Sequence, residues 1–173
     1  RTFLNTIETL ANPANATVHV GSFYHLSFAR KLARTIEQSE TLPVERAVFF
    51  KGLEGYDDLR PGRTTAAVWA GGELAETEIR PADHDIDLTK AALGVDDVAG
   101  TSAAITEDVV RGDRTGPFRD AVALNAAIRL FAAADVSTVG EGFEVARNAI
   151  AAGRAAAVLE DLQAFDPLQT VPP

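Results

Sequence analysis

The sequence predicts an α/β fold, with a mostly parallel sheet flanked by helices. In the first eighty residues, short apolar or β-branched runs alternate with a helical stretch, the strand–helix–strand order of a parallel pair joined by a crossover. After Pro81 the apolar residues recur at helical spacing instead. At 173 residues, with 46% apolar and 24% charged residues, the chain is long enough to bury the core of one domain.

The first elements are a helix, a strand and a second helix. Residues 1–10 place apolar side chains at helical spacing and end at the turn signal Asn12-Pro13. Residues 17–20 form a β-branched strand closed by Gly21. Ser22 is predicted to cap a helix. The apolar residues of that helix are Phe23, Leu26, Phe28, Leu32 and Ile36.

Three more strands follow. Residues 44–50, which end in the apolar run Ala47-Val48-Phe49-Phe50, predict a buried strand, and residues 64–70 predict the next one. Gly71-Gly72 then turns the chain into residues 73–79, whose alternation of acidic and apolar side chains is typical of an edge strand.

The second half predicts four helices. The first spans residues 99–110 and stops at Gly112, and the second begins at Pro117, a residue well suited to a first helical turn, and runs to about residue 134. The third opens with capping-box spacing from Thr138 to Glu141. Residues 154–165 form the last, and the segment after Asp166 is expected to be a frayed tail.

Composition excludes several classes of function. The chain has no Cys, which removes disulfides, thiolate metal sites and Cys nucleophiles. Its net charge of −9 argues against a nucleic-acid surface, because such surfaces rely on clustered Lys and Arg. No apolar run approaches the roughly 20 residues of a membrane span, and no secretory signal is visible. We therefore expect a cytoplasmic protein that does not associate with membranes.

The best candidate site is a pair of adjacent acids, Asp57 and Asp58, in a Gly-containing loop after the second predicted strand. Loops at the carboxyl edge of a sheet bind ligands in α/β folds. Hard carboxylate oxygens suit Mg²⁺ held partly by a phosphorylated substrate. The alternative is an ordinary solvated turn, in which Asp satisfies turn backbone. The spacing of the pair leaves both interpretations open.

Other patterns point to structural roles. The run from Asp83 to Asp87 imitates the start of a calcium loop, but Leu88 and Gly94 stand where that loop needs Gly and Glu. The three histidines lack metal-ligand spacing, and no dinucleotide, Walker A or serine-hydrolase motif is present. Trp69 is expected in the core, and Asn125 is expected to be a hydrogen-bonded packing residue on a helix.

Several segments, in the same order along the chain, resemble the anthranilate phosphoribosyltransferase family. They are Arg1-Thr2-Phe3-Leu4-Asn5, Leu10-Ala11-Asn12-Pro13-Ala14, Val18-His19-Val20-Gly21, Gly55-Tyr56-Asp57-Asp58, Gly116-Pro117-Phe118-Arg119-Asp120, Leu124-Asn125-Ala126-Ala127 and Gly153-Arg154-Ala155. The resemblance covers nearly the whole chain. It implies an incomplete catalytic domain of the nucleoside phosphorylase/phosphoribosyltransferase type. Residues 1–166 would be the C-terminal portion of that glycosyltransferase family 3-type α/β domain, and residues 167–173 a tail.

The resemblance also implies an activity, the transfer of phosphoribose from phosphoribosyl pyrophosphate to anthranilate in tryptophan biosynthesis. Mg²⁺ would be the cofactor, and Asp57 and Asp58 would help to hold it. No residue in this part of the chain would act as a nucleophile. The N-terminal helical domain and the Gly-rich phosphoribosyl-pyrophosphate loop would lie before Arg1, so the chain alone is expected to be inactive and the full-length protein to be a homodimer.

Two departures from the family keep other functions open. Residues 6–9 replace the usual Gly-Pro element, and Asp58 stands where the family usually has the longer Glu. The alternatives are a transferase with another acceptor, or a non-catalytic or nucleic-acid-binding homologue that keeps the fold. The chain contains no Met, even at its first position, and we therefore expect it to be a piece of a longer protein.

Overall fold

The computed structural model describes residues 8–52 and 59–165. Within them, four strands precede four of the five α-helices, and one helix lies between the first two strands. The strands are β1 (Val18–Ser22), β2 (Arg46–Phe50), β3 (Thr64–Ala70) and β4 (Glu73–Ile79). The helices are α1 (Leu26–Gln38), α2 (Val98–Arg111), α3 (Pro117–Ala132), α4 (Val139–Ala151) and α5 (Arg154–Ala164).

The strands form one sheet in the order β1-β2-β3-β4. The α/β class with flanking helices is confirmed, and β4 is an edge strand, as predicted. The described sheet is mixed rather than mostly parallel: β1 and β2 are parallel, whereas the pairs β2–β3 and β3–β4 are antiparallel. Gly71 and Gly72, with φ of 58° and 85°, form a two-residue turn between β3 and β4. A turn this short can join only antiparallel neighbours, since parallel ones need a crossover such as α1.

Strand β2 is buried on both faces of the sheet, and its alternating side chains divide the core. Ala47 and Phe49 pack with α1 and with Trp69, which confirms the core position predicted for the tryptophan. Val48 and Phe50 pack with α2, α3 and α4 on the opposite face. Because neighbouring side chains of a strand point to opposite faces, one apolar run supplies both cores.

Helices α3 and α4 approach each other closely at Gly142. A Cβ at this position would lie 2.9 Å from the carbonyl oxygen of Ala127. Glycine is therefore needed for the contact. The predicted cap of α4 is present: the Thr138 side chain accepts a hydrogen bond from the backbone N–H of Glu141, and the Glu141 carboxylate accepts one from the N–H of Ser137.

The cap predicted at Ser22 is wrong. Ser22 is the last residue of β1, opposite Phe50 in the parallel register, and the next backbone N–H, that of Phe23, donates to the Phe50 carbonyl at 3.0 Å. The strand therefore continues past the expected boundary, and α1 starts after His25, whose side chain makes no capping bond.

Of the predicted N-terminal helix, the described part is a single 3₁₀ turn, Glu8–Leu10. Residues 1–7 and the predicted tail 167–173 lie outside the described residues. Among the helices that the structure describes, none has the length and apolar character needed to cross a membrane.

Candidate functional site

The carboxyl ends of β1 and β2 meet at one edge of the sheet. The two strands are parallel, and their last residues, Ser22 and Phe50, are paired. From this edge β1 leads into α1, and β2 leads into the segment that carries the two predicted acids. Connections at the carboxyl ends of parallel strands are where open α/β sheets bind ligands, so the topology puts the start of the acidic loop at a suitable edge.

Asp57 and Asp58 themselves lie outside the described residues. The structure does describe where their loop begins. The backbone N–H of Lys51 donates to the Thr65 carbonyl at 2.9 Å, and the N–H of Gly52 donates to the Phe50 carbonyl at 3.1 Å. The two residues that precede the acidic segment are therefore still bonded to the sheet.

On the other side of residues 53–58, the described structure includes Leu59. The Leu59 N–H donates to Oδ1 of Asn125 on α3 at 3.0 Å, and the Leu59 side chain is buried in the core. The next N–H, that of Arg60, donates to the Thr64 hydroxyl at 2.8 Å. Thr64 is a buried polar residue at the start of β3. The residues that flank the acidic segment on both sides are thus held by hydrogen bonds to regular structure.

A small polar and aromatic group stands at the same edge. The Lys51 ammonium lies 5.9 Å from the centroid of the Tyr24 ring, and the Tyr24 and His25 rings meet edge to face at 4.7 Å. Helix α1 begins directly after His25, so the positive end of its dipole faces this edge. The sequence did not single out Tyr24 and Lys51; the available signal was that Lys51 directly follows the apolar run 47–50.

Helix α3 runs antiparallel to β2. Its carboxyl end is near the start of β2, where Nη2 of Arg46 reaches the Phe131 carbonyl at 3.5 Å and the guanidinium lies 5.2 Å from the Phe131 ring centroid. Asn125, nearly two turns earlier, bonds Leu59 beyond the other end of β2. The start of α3 at Pro117 is therefore directed toward the carboxyl edge of the sheet.

Asn125 has the hydrogen-bonded packing role that its sequence context predicted. Its Nδ2 donates to the Ala121 carbonyl at 2.9 Å, in addition to the bond that its Oδ1 accepts from Leu59. The sequence did not reveal which residue it would bond, since Leu59 is 66 positions away. A polar residue between Leu124 and Ala126 was the only available signal.

The histidines and the other acidic run have local partners. The His19 ring nitrogen Nε2 is 2.7 Å from the Thr9 carbonyl, and the His84 ring packs against Gly140 at the start of α4. In residues 8–52 and 59–165, no three His, Cys, Asp or Glu side chains come together as a possible metal site. The run from Asp83 to Asp87 is part of that range, so it brings no such set together.

Comparison with known proteins gives a consistent result. Residues 1–156 match the family described as "Glycosyl transferase family, a/b domain". An anthranilate phosphoribosyltransferase of Paramagnetospirillum magneticum is 34% identical over 170 residues, which are 95% of this chain and 47% of that protein. The chain spans about half the length of the curated relatives it matches.

Solved structures agree. The anthranilate phosphoribosyltransferase of Thermus thermophilus superposes with a TM-score of 0.77 at 26% identity, covering 93% of this chain and 46% of that one. A Saccharomyces cerevisiae anthranilate phosphoribosyltransferase variant, described with Mg bound, gives a TM-score of 0.76 at 19% identity, covering 92% and 46%. The yeast likeness shows the fold alone.

Proposed function

Because the chain belongs to the glycosyl transferase family, a/b domain, we propose that the protein containing it transfers phosphoribose from phosphoribosyl pyrophosphate to anthranilate in tryptophan biosynthesis. The observation that carries this proposal is the similarity to curated anthranilate phosphoribosyltransferases, which extends over more than nine-tenths of the chain. These relatives are about twice as long as the chain. The activity is therefore proposed for the whole protein, and the 173-residue chain alone is expected to be inactive.

The proposed contribution of this chain is a magnesium site at the carboxyl edge of the sheet, with Asp57 and Asp58 as ligands. The described geometry supports it, since Gly52 and Leu59, the residues that flank the loop, are anchored at that edge. The donor chemistry fits as well, because two carboxylates are hard oxygen ligands of the kind Mg²⁺ prefers. Bound there, the ion would neutralise charge on the departing pyrophosphate.

The chain's other residues would orient a phosphorylated ligand and the acidic loop. The Lys51 ammonium and the amino end of α1 give the edge positive character close to the proposed acids. Such an arrangement acts by positioning and charge stabilisation, and it needs no nucleophile from this part of the protein.

The remaining expectations belong to the same proposal. Residues 1–166 would be the C-terminal portion of the catalytic α/β domain, and 167–173 its tail. The substrates would be phosphoribosyl pyrophosphate and anthranilate, the full-length protein would be a homodimer, and the compartment would be the cytoplasm.

The test is an assay of the purified full-length protein with phosphoribosyl pyrophosphate, Mg²⁺ and anthranilate, followed by the loss of anthranilate fluorescence. We expect turnover that chelation with EDTA abolishes and Mg²⁺ restores. The same gene should restore growth without tryptophan to a strain that lacks this enzyme. A folded, well-expressed protein that neither consumes anthranilate nor restores growth would rule out this acceptor, and turnover of another aromatic amine would redirect the assignment.

A further inference from the structure

We propose that the surface formed by α3, α4 and α5 is a contact site for a second copy of this chain, in which the two α5 helices pack antiparallel. The inference goes beyond the proposed function and does not depend on the transfer reaction. It rests on three features of this surface: an apolar groove, an exposed apolar stripe and a pair of opposite charges.

An open groove lies between α3 and α4 and reaches the start of α5. Its volume is about 550 Å³, and its lining is almost entirely apolar, including Val122, Ala126, Val145 and Ala155. Val122 and Val145 are exposed. Because protein interiors are normally filled to high density, an apolar groove of this size has room for apolar side chains from outside.

An exposed apolar stripe on α5 continues the groove. Ala155, which lines the groove, is followed by Val158 and Leu162 at the spacing i, i+3 and i+7, so the three lie on one face of the helix. Phe165 comes directly after the helix, and it is exposed like Val158 and Leu162. Groove and stripe together carry five of the seven large hydrophobic side chains that the described residues expose. Such a concentration marks an interaction surface.

Two opposite charges on α5 indicate which partner fits. Arg154 and Asp161 are exposed and seven residues apart, which is two turns of the helix, so they share a face. Within residues 8–52 and 59–165, neither side chain has an ion-pair partner, whereas the neighbouring Glu160 is paired with Arg111. In an antiparallel pair of α5 helices, each Arg154 meets Asp161 of the other copy. The surface is therefore complementary to itself, as a twofold contact requires.

The same register suits the apolar side chains. It carries Leu162 and Phe165 of the second copy past the start of α5, toward the groove lined by Ile150 and Ala155. Val158 then lies near the twofold axis, close to Val158 of the second copy. Since one helix and one groove bury a limited area, the association should be weak and concentration-dependent. It would add to any contacts that the rest of the full-length protein makes.

The first experiment cross-links the full-length protein at the proposed axis. The 173 residues contain no Cys, so Val158→Cys introduces a thiol that would face the same position in the second copy. A short bismaleimide should convert this variant to a covalent dimer. Val98→Cys is the matched control, because Val98 on α2 is 65% exposed against 58% for Val158 and lies outside the groove and the stripe. The control and the wild type should stay uncross-linked.

The second experiment exchanges the charges in the Val158→Cys background. Arg154→Asp and Asp161→Arg each place like charges opposite one another, and each should slow cross-linking about tenfold. An equimolar mixture of the two variants pairs opposite charges again in exchanged positions. It should cross-link nearly as fast as the variant that carries Val158→Cys alone, a recovery that no effect within a single copy could produce.

The third experiment tests the groove in the same background. Leu162→Glu would bring a charge into an apolar groove and should abolish cross-linking. Val98→Glu makes the same kind of change at a similarly exposed position and should leave the cross-linking rate unchanged.

The absence of a covalent dimer of Val158→Cys would overturn the proposal. So would a Val158→Cys thiol that does not react with a maleimide in the folded protein, since another part of the protein would then cover the stripe. A mixture of the charge variants that cross-links no faster than either alone would also contradict it. None of these results bears on anthranilate transfer, which the assay of the same samples tests separately.

Discussion

Helix α3 is tied to the sheet region by polar contacts at both ends of β2, and the two differ in how completely their hydrogen bonds are satisfied. Beyond the carboxyl end, both halves of the Asn125 amide are bonded, one of them to Leu59. At the amino end, Nη2 of Arg46 reaches the Phe131 carbonyl at the long distance of 3.5 Å. The buried Nε of Arg46 has no hydrogen-bond partner among the described residues.

The two contacts therefore have different roles. The Asn125 amide fixes a backbone position by directed hydrogen bonds, whereas the Arg46 side chain mainly packs against its neighbours. Asn125 fixes the backbone of Leu59, the first described residue after the acidic segment. Arg46 instead places its guanidinium over the Phe131 ring and near the last carbonyls of α3, where a positive charge is favourable. Helix α3 is therefore joined by directed hydrogen bonds beyond the carboxyl end of β2, and by mainly electrostatic and packing contacts at the amino end of β2. This leads to expectations that differ between the two ends.

The largest effect is expected beyond the carboxyl end, from Asp57→Asn combined with Asp58→Asn in the full-length protein. Loss of both carboxylates should lower kcat/KM about 100-fold or more at limiting Mg²⁺, because the charge stabilisation that they organise would be lost. Transfer rates measured over a Mg²⁺ titration test this.

The matched control is Asp83→Asn with Asp85→Asn, which makes the same change of charge at exposed positions in another connection. It should leave the Mg²⁺ titration unchanged. If the Asp57 and Asp58 double variant also gives the wild-type Mg²⁺ titration, the two acids belong to a solvated turn. The carboxyl end of β2 would then have no metal-binding role that distinguishes it from the amino end.

A substitution on α3 midway between Asn125 and Phe131 should strongly lower the stability of the protein. Ile128 is fully buried on α3, one turn from both Asn125 and Phe131. Ile128→Ala should lower the free energy of unfolding by about 2–5 kcal/mol, because it leaves a cavity between helix and sheet. Urea unfolding of the full-length protein measures it.

Val158→Ala is the control for that experiment. Val158 is 58% exposed on α5, and its truncation should stay within about 0.5 kcal/mol of wild type. If the two variants lose similar amounts of unfolding free energy, α3 is not packed on the sheet as described. The contacts of Asn125 and Arg46 would then need another explanation.

The smallest effect is expected at the amino end. Arg46→Met keeps apolar volume over Phe131 while removing the unpartnered Nε, so the lost cation–π contact of about 0.5–1 kcal/mol is largely offset. We expect a change in unfolding free energy within about 1 kcal/mol and an unaltered Mg²⁺ titration. A shift in Mg²⁺ dependence as large as that of the Asp57 and Asp58 double variant would erase the distinction between the two ends.

Much of the fold could be predicted because its signals are local. Residues 64–70 are a run of β-branched and apolar side chains, and residues 73–79 alternate between acidic and apolar ones. Gly71-Gly72 supplies the positive φ angles of the turn between them, so β3 and β4 have the predicted bounds. Pro117 marks the first residue of α3 as expected. The error at Ser22 has a nonlocal cause, since its pairing with Phe50 extends β1 into the residue that looked like a cap.

The candidate site was only half predictable. The acid pair follows the predicted strand within a few residues of the same chain. The sequence could therefore identify Asp57 and Asp58 as candidates, together with the edge of the sheet at which the strand ends. It named Asn125 as a bonded packing residue, but the partner could not be foreseen. Nor could the meeting of Tyr24 and Lys51, which depends on the parallel register of β1 and β2.

By itself, the sequence determined the α/β class, most element boundaries, the core position of Trp69 and the resemblance to one enzyme family, because periodicity, turn chemistry and ordered motifs are written along the chain. The tertiary structure alone decided the mixed pairing of the sheet and the ties at the two ends of β2. Those contacts join residues many positions apart, such as Leu59 with Asn125 and Arg46 with Phe131, and their geometry exists only after helix and sheet have packed.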